Sequence, residues 1–291
     1  MTSRRQEVDI RMWVASLVLV GVVTTSGWAS TNRAVQDRLD RDIEAGSPVV
    51  VHVVVALCDN ANQGIVPVPK ALGNGQDPEG NLYWGALYGV QTHLPRAAGW
   101  TKLGARKSGD NRILDRAVFF ATVDRDGTSV PVYVVADAWD GAHIREALQA
   151  YLNMAAGNSA QTVELNNGTS QLKLRAGGSA HLVVYVGHNG LMDFSMEPSS
   201  DSPPDAPAKS AVVLACASKS YFLDHLRAAG AHPLLLTTGL MAPEAYTLDA
   251  AIRSWIREGT TAAVIQAAAE AYDHYQKCGI GAAQRLFWGA Q

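Results

Sequence analysis

His181-Leu182-Val183-Val184-Tyr185-Val186-Gly187-His188-Asn189-Gly190 runs from an apolar centre into a polar, glycine-marked end. Its five central residues are apolar without interruption. A short run of this kind reads as a strand covered on both faces, as in the middle of a parallel sheet. Gly187 and Asn189-Gly190 then end it in a loop. Ala211-Val212-Val213-Leu214-Ala215-Cys216 repeats the pattern and ends on a cysteine. Val49 to Leu57, nearly all valine, is a third buried strand, ending at Cys58-Asp59-Asn60-Ala61-Asn62-Gln63-Gly64.

Further elements follow on either side. Residues 31–46 are charged and helix-prone and stop at Gly46-Ser47-Pro48. The Pro/Gly-rich stretch 64–80 reads as a long surface loop, of the kind often tied to function. Asn81 to His93, with Tyr83, Trp84 and Tyr88, reads as a packed helix. Ala117–Val123 and Val130–Ala136 flank Asp124-Arg125-Asp126-Gly127, a hairpin signal, and the second strand is expected to end at Asp137. A helix over 142–156 has Asp140 as its cap. Thr162 to Leu174 turns at Asn166-Asn167-Gly168 as another hairpin. Pro198 to Lys209 is a solvated loop. A helix over 219–229, a strand from His232 to Gly239, and helices over 243–257 and 261–276 complete the chain. Strands alternating with helices predict an α/β layered fold with a largely parallel sheet. Ligands of such sheets bind at the carboxyl ends of the strands. Asp59, Asp137, His188, Cys216 and Thr238 are all expected there.

The chain has 291 residues, enough for one large domain with appendages. A net charge of −3 leaves no basic footprint, so nucleic acid is not an expected partner. Cys58, Cys216 and Cys278 are too widely spaced for a disulfide framework and lack metal-ligand spacing. No metal or cofactor is expected. Met12 to Asn32 carries no charge except at its flanks, where Arg4, Arg5 and Arg11 precede it, and Gly27-Trp28-Ala29 offers small residues for cleavage. Residues 1–30 therefore read as a secretory signal, with an uncleaved anchor through 12–29 as the competing reading. Residues 31–48 form a linker or helix and 49–291 the α/β domain. The expected location is exported, periplasmic or extracellular, or membrane-anchored. In an oxidising compartment two of the cysteines are free to pair, and a Cys58–Cys278 bridge would leave Cys216 as a thiol.

A thiol and an imidazole at neighbouring strand ends are the minimum equipment for nucleophilic acyl transfer. His188 and Cys216 are 28 residues apart. The bland alternatives are a buried structural cysteine and a loop histidine satisfied by backbone. His225, beside Asp224 and Arg227, reads as part of a solvated helix face. Gly73-Asn74-Gly75 reads as a turn rather than a phosphate loop.

The order strand–His, then strand–Ala–Cys, resembles the caspase-like cysteine peptidases. Ala215-Cys216-Ala217-Ser218-Lys219-Ser220 looks like the legumain segment around its nucleophile. Thr237-Thr238-Gly239-Leu240-Met241-Ala242-Pro243-Glu244-Ala245-Tyr246 looks like the following strand and pocket loop. The resemblance covers about residues 49–258. It implies a three-layer sandwich with a mostly parallel central sheet flanked by helices. It further implies a Cys216/His188 dyad that hydrolyses a peptide or protein substrate through a thioester. Backbone N–H groups of Gly190 and Cys216 would bind the oxyanion. Asp59 or Asn60 would orient the histidine, and Ser218, Thr238 and Gly239 are pocket candidates. One departure stands out: the family has glycine directly after the histidine, and here Asn189 intervenes. An inactive caspase-like binding domain and a different Cys-dependent amide or ester hydrolase are the alternative readings.

Overall fold

The structure, a computed structural model, describes residues 23–104, 108–167, 170–198 and 202–291. Its centre is an eight-stranded sheet of order β10-β9-β8-β7-β1-β4-β3-β2. The parallel strands are β1 (Val49–Ala56), β4 (Thr128–Trp139), β7 (Leu182–Val186), β8 (Ser210–Leu214) and β9 (His232–Thr237). Antiparallel strands flank them: β3 (Ile113–Arg125) and β2 (Thr101–Leu103) on one side, β10 (Phe287–Trp288) on the other. The chain enters the sheet at β1, moves one way to β4, then returns to β7 on the far side of β1. The order therefore reverses between β1 and β7. A crevice opens outside the carboxyl ends at such a point.

Alternation along the strands builds two cores. Val49, Val51, Val53 and Val55 of β1 join Leu182, Val184 and Val186 of β7 on one face. That face is covered by α1 (Val23–Glu44), α2 (Val90–Arg96), α5 (Ala245–Glu258) and α6 (Thr261–Gln276). Val50, Val54, Val183, Tyr185, Ala211 and Val213 face the other way. There they pack against α3 (Ile144–Ala155), α4 (Ser218–Ala228) and a separate hairpin, β5 (Ala160–Asn167) with β6 (Ser170–Gly177). This is the expected α/β three-layer arrangement with a mostly parallel sheet. Both faces of the strands are buried, which is why the strand sequences are continuous apolar runs.

Several expectations are corrected. Asn81 to Gly89 is a series of turns, and helix begins only at Val90. The carboxamide of Asn81 binds both backbone groups of Cys58 and stops a helix from starting there. β4 runs past Asp137, which sits inside the strand opposite Val54 rather than at its tip. Its carboxylate is paired with Arg116 at 2.5 Å and His52 at 3.2 Å. Burial raises the Asp137 carboxyl, yet those two partners outweigh it and hold it below the ordinary range. Gly177 N–H donates to His52 Nδ1, so this buried group pins the β5–β6 hairpin onto the sheet. His225 is buried, not solvated, because α4 turns that side toward the protein. Its unpaired Nδ1 is buried too. Cys58 is buried and Cys278 exposed, and all three cysteines are free thiols. β2, β10 and a last short helix, α7 (Ile280–Leu286), were not expected.

The helix expected over 31–46 exists and is already helix at Val23, the first described residue. Residues 23–29 of the 12–29 segment thus belong to α1, while residues 12–22 lie outside the described residues. Among the described residues no helix is long and apolar enough to cross a membrane.

Candidate active site

Strand register sets the site. Every β7–β8 pair is offset by the same number, from Leu182↔Ser210 to Val186↔Leu214, which is 214 − 186 = 28. His188 and Cys216 share that offset. Each therefore lies two residues past the last paired position of its own strand. Gly187 N–H continues the ladder to Leu214 O at 3.2 Å. The tips are also tied directly. Asn189 Nδ2 donates to the Cys216 carbonyl at 2.7 Å, and Asn189 is fully buried. The extra residue between His188 and Gly190 is thus the strap between the two tips.

Gly187 is the pivot that brings the chain off β7. Its φ of +152° lies outside the usual range for an L side chain, and a Cβ there would meet Ala56 O at 2.8 Å. The next residue, His188, has its carbonyl held by Tyr185 O–H at 2.7 Å and Gly190 N–H at 3.1 Å. Its ring Nε2 is 2.6 Å from Asp193 Oδ2. Nδ1 takes no partner among the described residues. Asp193 was not anticipated. The turn signal Asn189-Gly190 was the available clue: a short 3-10 turn over Gly190–Met192 folds position 193 back onto 188.

Cys216 sits between β8 and α4, on a sharp turn. Ala217 behind it adopts the left-handed region at φ 48°, a strained choice for a residue with a side chain. The turn is held by Ala217 N–H to Gly239 O at 2.7 Å. Met241 N–H donates to the Cys216 sulfur at 3.4 Å, a contact that strengthens when the acceptor carries charge. Cys58 differs: it is fully buried, and burial pushes its thiol up to about 11. That leaves it inert beside the half-exposed Cys216.

The remaining sequence candidates fall as follows. Asp59 caps its own loop, accepting from the amides of Ala61 and Asn62 and from the side chains of Asn62 and Gln76. Burial raises its carboxyl, but these bonds prevail and keep it below the ordinary range. The Asn60 carboxamide clamps Val68 through both backbone groups, at 2.8 and 3.0 Å. Neither side chain hydrogen-bonds to His188. Gly190 N–H is engaged by His188 O, whereas the amides of Asn189 and Cys216 take no partner among the described residues. Ser218 is fully buried in a latch: its Oγ donates to Val213 O and meets Thr237 Oγ1, which itself donates to Ala215 O. It lines no surface. Thr238 Oγ1 donates to Arg285 O at 2.7 Å, and Gly239 offers its carbonyl to the Cys216 turn.

Two surface cavities lie elsewhere. One, of about 480 Å³, is walled by Tyr88, His93, Tyr246 and Tyr275 between α2, α5 and α6. The other, of about 560 Å³, lies between α3 and the β3–β4 edge and includes Arg112, Arg116 and Glu146. Neither is lined by His188 or Cys216. Among the described residues no cluster of three His, Cys, Asp or Glu side chains has metal-binding geometry. No protein-family model matches this chain, and no curated protein matches it.

Proposed function

We propose that the protein is a cysteine peptidase of caspase-like architecture, closest in flavour to the legumains, with Cys216 as nucleophile and His188 as acid–base partner. One observation carries the reading: the shared 28-residue offset of strand register and dyad spacing, fastened by the Asn189–Cys216 hydrogen bond. The parallel order, with β1 central, β4 on one side and β7, β8 and β9 on the other, agrees with it.

The chemistry follows from the groups at the tips. The Cys216 thiol gives its proton to His188 and the sulfur bonds to the substrate carbonyl carbon. The carbonyl π electrons move to oxygen. Asn189 and Cys216 carry the amides without partners, and these would receive that oxyanion in place of Gly190. A donor of this kind contributes about 3–4 kcal/mol to transition-state stabilisation where it has been removed. Collapse breaks the C–N bond, and His188 returns the proton to the leaving amine. Water then attacks the thioester carbon and gives a proton to His188; the C–S bond breaks, the acid leaves, and His188 returns the proton to the Cys216 sulfur.

The test is labelling of the folded protein with a thiol-reactive peptide probe. Expected is modification of Cys216 far above both a denatured control and Cys216→Ala. Labelling no faster than in the denatured chain sinks the proposal. A second reading, a catalytically inactive domain that binds through its cleft, is favoured by one observation: both cavities described above lie away from His188 and Cys216. Cys216-dependent peptide cleavage would exclude it.

A further inference from the structure

We propose that Asp193 is a positioning residue that fixes the tautomer of His188, so that three side chains act together rather than two. The inference rests on the cysteine-hydrolase reading for its purpose, but not for its geometry. An ionised carboxylate only accepts hydrogen bonds. At 2.6 Å from Asp193 Oδ2, His188 Nε2 must therefore carry the ring proton. In a neutral imidazole the lone pair then belongs to Nδ1. That is the nitrogen without a partner among the described residues, and the one left to exchange a proton with Cys216.

Asp193 is held for this task from three sides. Its own turn fixes it: Asp193 N–H and Phe194 N–H both donate to Gly190 O, at 2.9 and 3.0 Å. Downstream, Arg145 of α3 stacks over Phe194 at 4.0 Å and donates to Ser195 O at 3.2 Å. Across the crevice, the loop after β1 closes on the carboxylate. Gly64 N–H lies 3.4 Å from Asp193 Oδ2. A Cβ on Gly64 would come within 2.6 Å of Asp193 Oδ1. Gly64 is not in the left-handed region, so alanine there is disfavoured by that contact alone. The loop after β1 thus contributes to the site through Gly64 and Asp193, not through Asp59 or Asn60. His188 keeps only 10% of its side-chain surface exposed while Asp193 keeps 37%. The carboxylate stays open to solvent while the ring it orients is largely shielded.

Nitrogen-15 NMR of the histidine rings, on the full chain, reads the tautomer without any need for turnover. His188→Ala assigns the signal. The expected wild-type pattern is Nε2–H. Asp193→Ala is expected to move His188 toward a mixture, and Gly64→Ala to do so in part by pushing the carboxylate aside. Asp193→Glu should restore the pattern in part. Labelling of Cys216 by the peptide probe should fall at least about tenfold in Asp193→Ala, the scale of a misdirected acid–base group. An unchanged tautomer in both Asp193→Ala and Gly64→Ala overturns the proposal, even if the wild type proves to be an active peptidase. A tautomer that moves in a protein with no hydrolytic activity upholds the proposal and removes the peptidase reading instead.

Discussion

The two edges of the sheet are closed by different means, a helix at one and loops at the other. At the amino edge, α1 lies across the strand starts and is fastened along its length. Trp28 lies under Arg227, Arg38 donates to the carbonyls of Ser179, Ala180 and Ala208, Asp40 pairs with Arg125, and Asp42 meets His181. Each partner sits just before a parallel strand, at the β3–β4 turn or at the end of α4. Arg38 is buried there and paired with Asp42, while Asp40 and Arg227 stay open to solvent. At the carboxyl edge, among the described residues, no helix comparable to α1 is fastened across the tips; only the end of the short α7 meets Thr238. Long loops stand over them, and the amides of Asn189 and Cys216 and one nitrogen of His188 keep no protein partner among the described residues. Unmet hydrogen-bonding capacity is costly inside a protein. Buried groups without partners also occur at the amino edge, at Gln36 Nε2, Arg125 Nη1, Ser210 Oγ and His232 Nδ1, so what sets the carboxyl edge apart is that its open groups are those of the candidate dyad and its neighbour.

The contrast is broken most strongly at Arg38. Arg38→Ala leaves three carbonyls without their donor in a buried setting. It should lower unfolding free energy by about 3 kcal/mol or more, read from urea melts. Probe labelling of Cys216 per folded molecule should stay unchanged, because the two edges are separate. A loss below about 1 kcal/mol, or slower labelling, contradicts the division of roles.

Acid should act next, through the same edge. Burial pulls His181 from 6.5 down to about 4 and His232 likewise to about 4. Val50 N–H donates to His181 Nδ1, so the folded ring is neutral. Above pH 6.5 neither the folded nor the unfolded state binds these protons. Between 6.5 and 4 the unfolded chain alone takes them up, so stability falls as pH falls. Each histidine should cost up to about 2 kcal/mol between pH 6.5 and 5, at about 1.4 kcal/mol per unit. His232→Gln should flatten a pH series of urea midpoints by roughly its share. A series flat from pH 6.5 to 4.5 in the wild type would remove this account.

The smallest effect on stability is expected at the other edge. Asn189→Ala removes the bonds to Cys216 O and from Leu191 N–H. It should cost about 1–2 kcal/mol, yet slow probe labelling of Cys216 more than Arg38→Ala does. Labelling at the wild-type rate in Asn189→Ala would mean the strap does not set the tips.

Some of this was legible in the residues. Valine at six of the seven positions from 49 to 55, with His52 between them, and the runs ending at Gly187 and Ala215 predict doubly covered strands, since a strand with both faces buried needs no polar alternation. Asp126-Gly127 predicts the β3–β4 turn, and both residues take positive φ, 51° and 81°. Other elements were not legible. β2 and β10 are three and two residues long, and they exist only because a longer neighbour offers a free edge. Asn81 to Gly89 has helical composition, but tertiary bonds to Cys58 and Asp115 override it. Asp59 and Asn60 lie at the right strand end, yet side-chain direction in a loop depends on partners such as Gln76 and Val68 that sequence order does not supply.

That buried parallel strands end on a histidine and a cysteine follows from the residues alone, because apolar continuity and glycine punctuation are local properties. The folded chain sets those ends level, since register depends on pairing between strands distant in the chain. It also decided that Asp193 faces His188, that Asn189 ties the tips, and that the amide of Gly190 is engaged while its neighbour's is free. Those are properties of where hydrogen bonds close in space, which no single segment specifies.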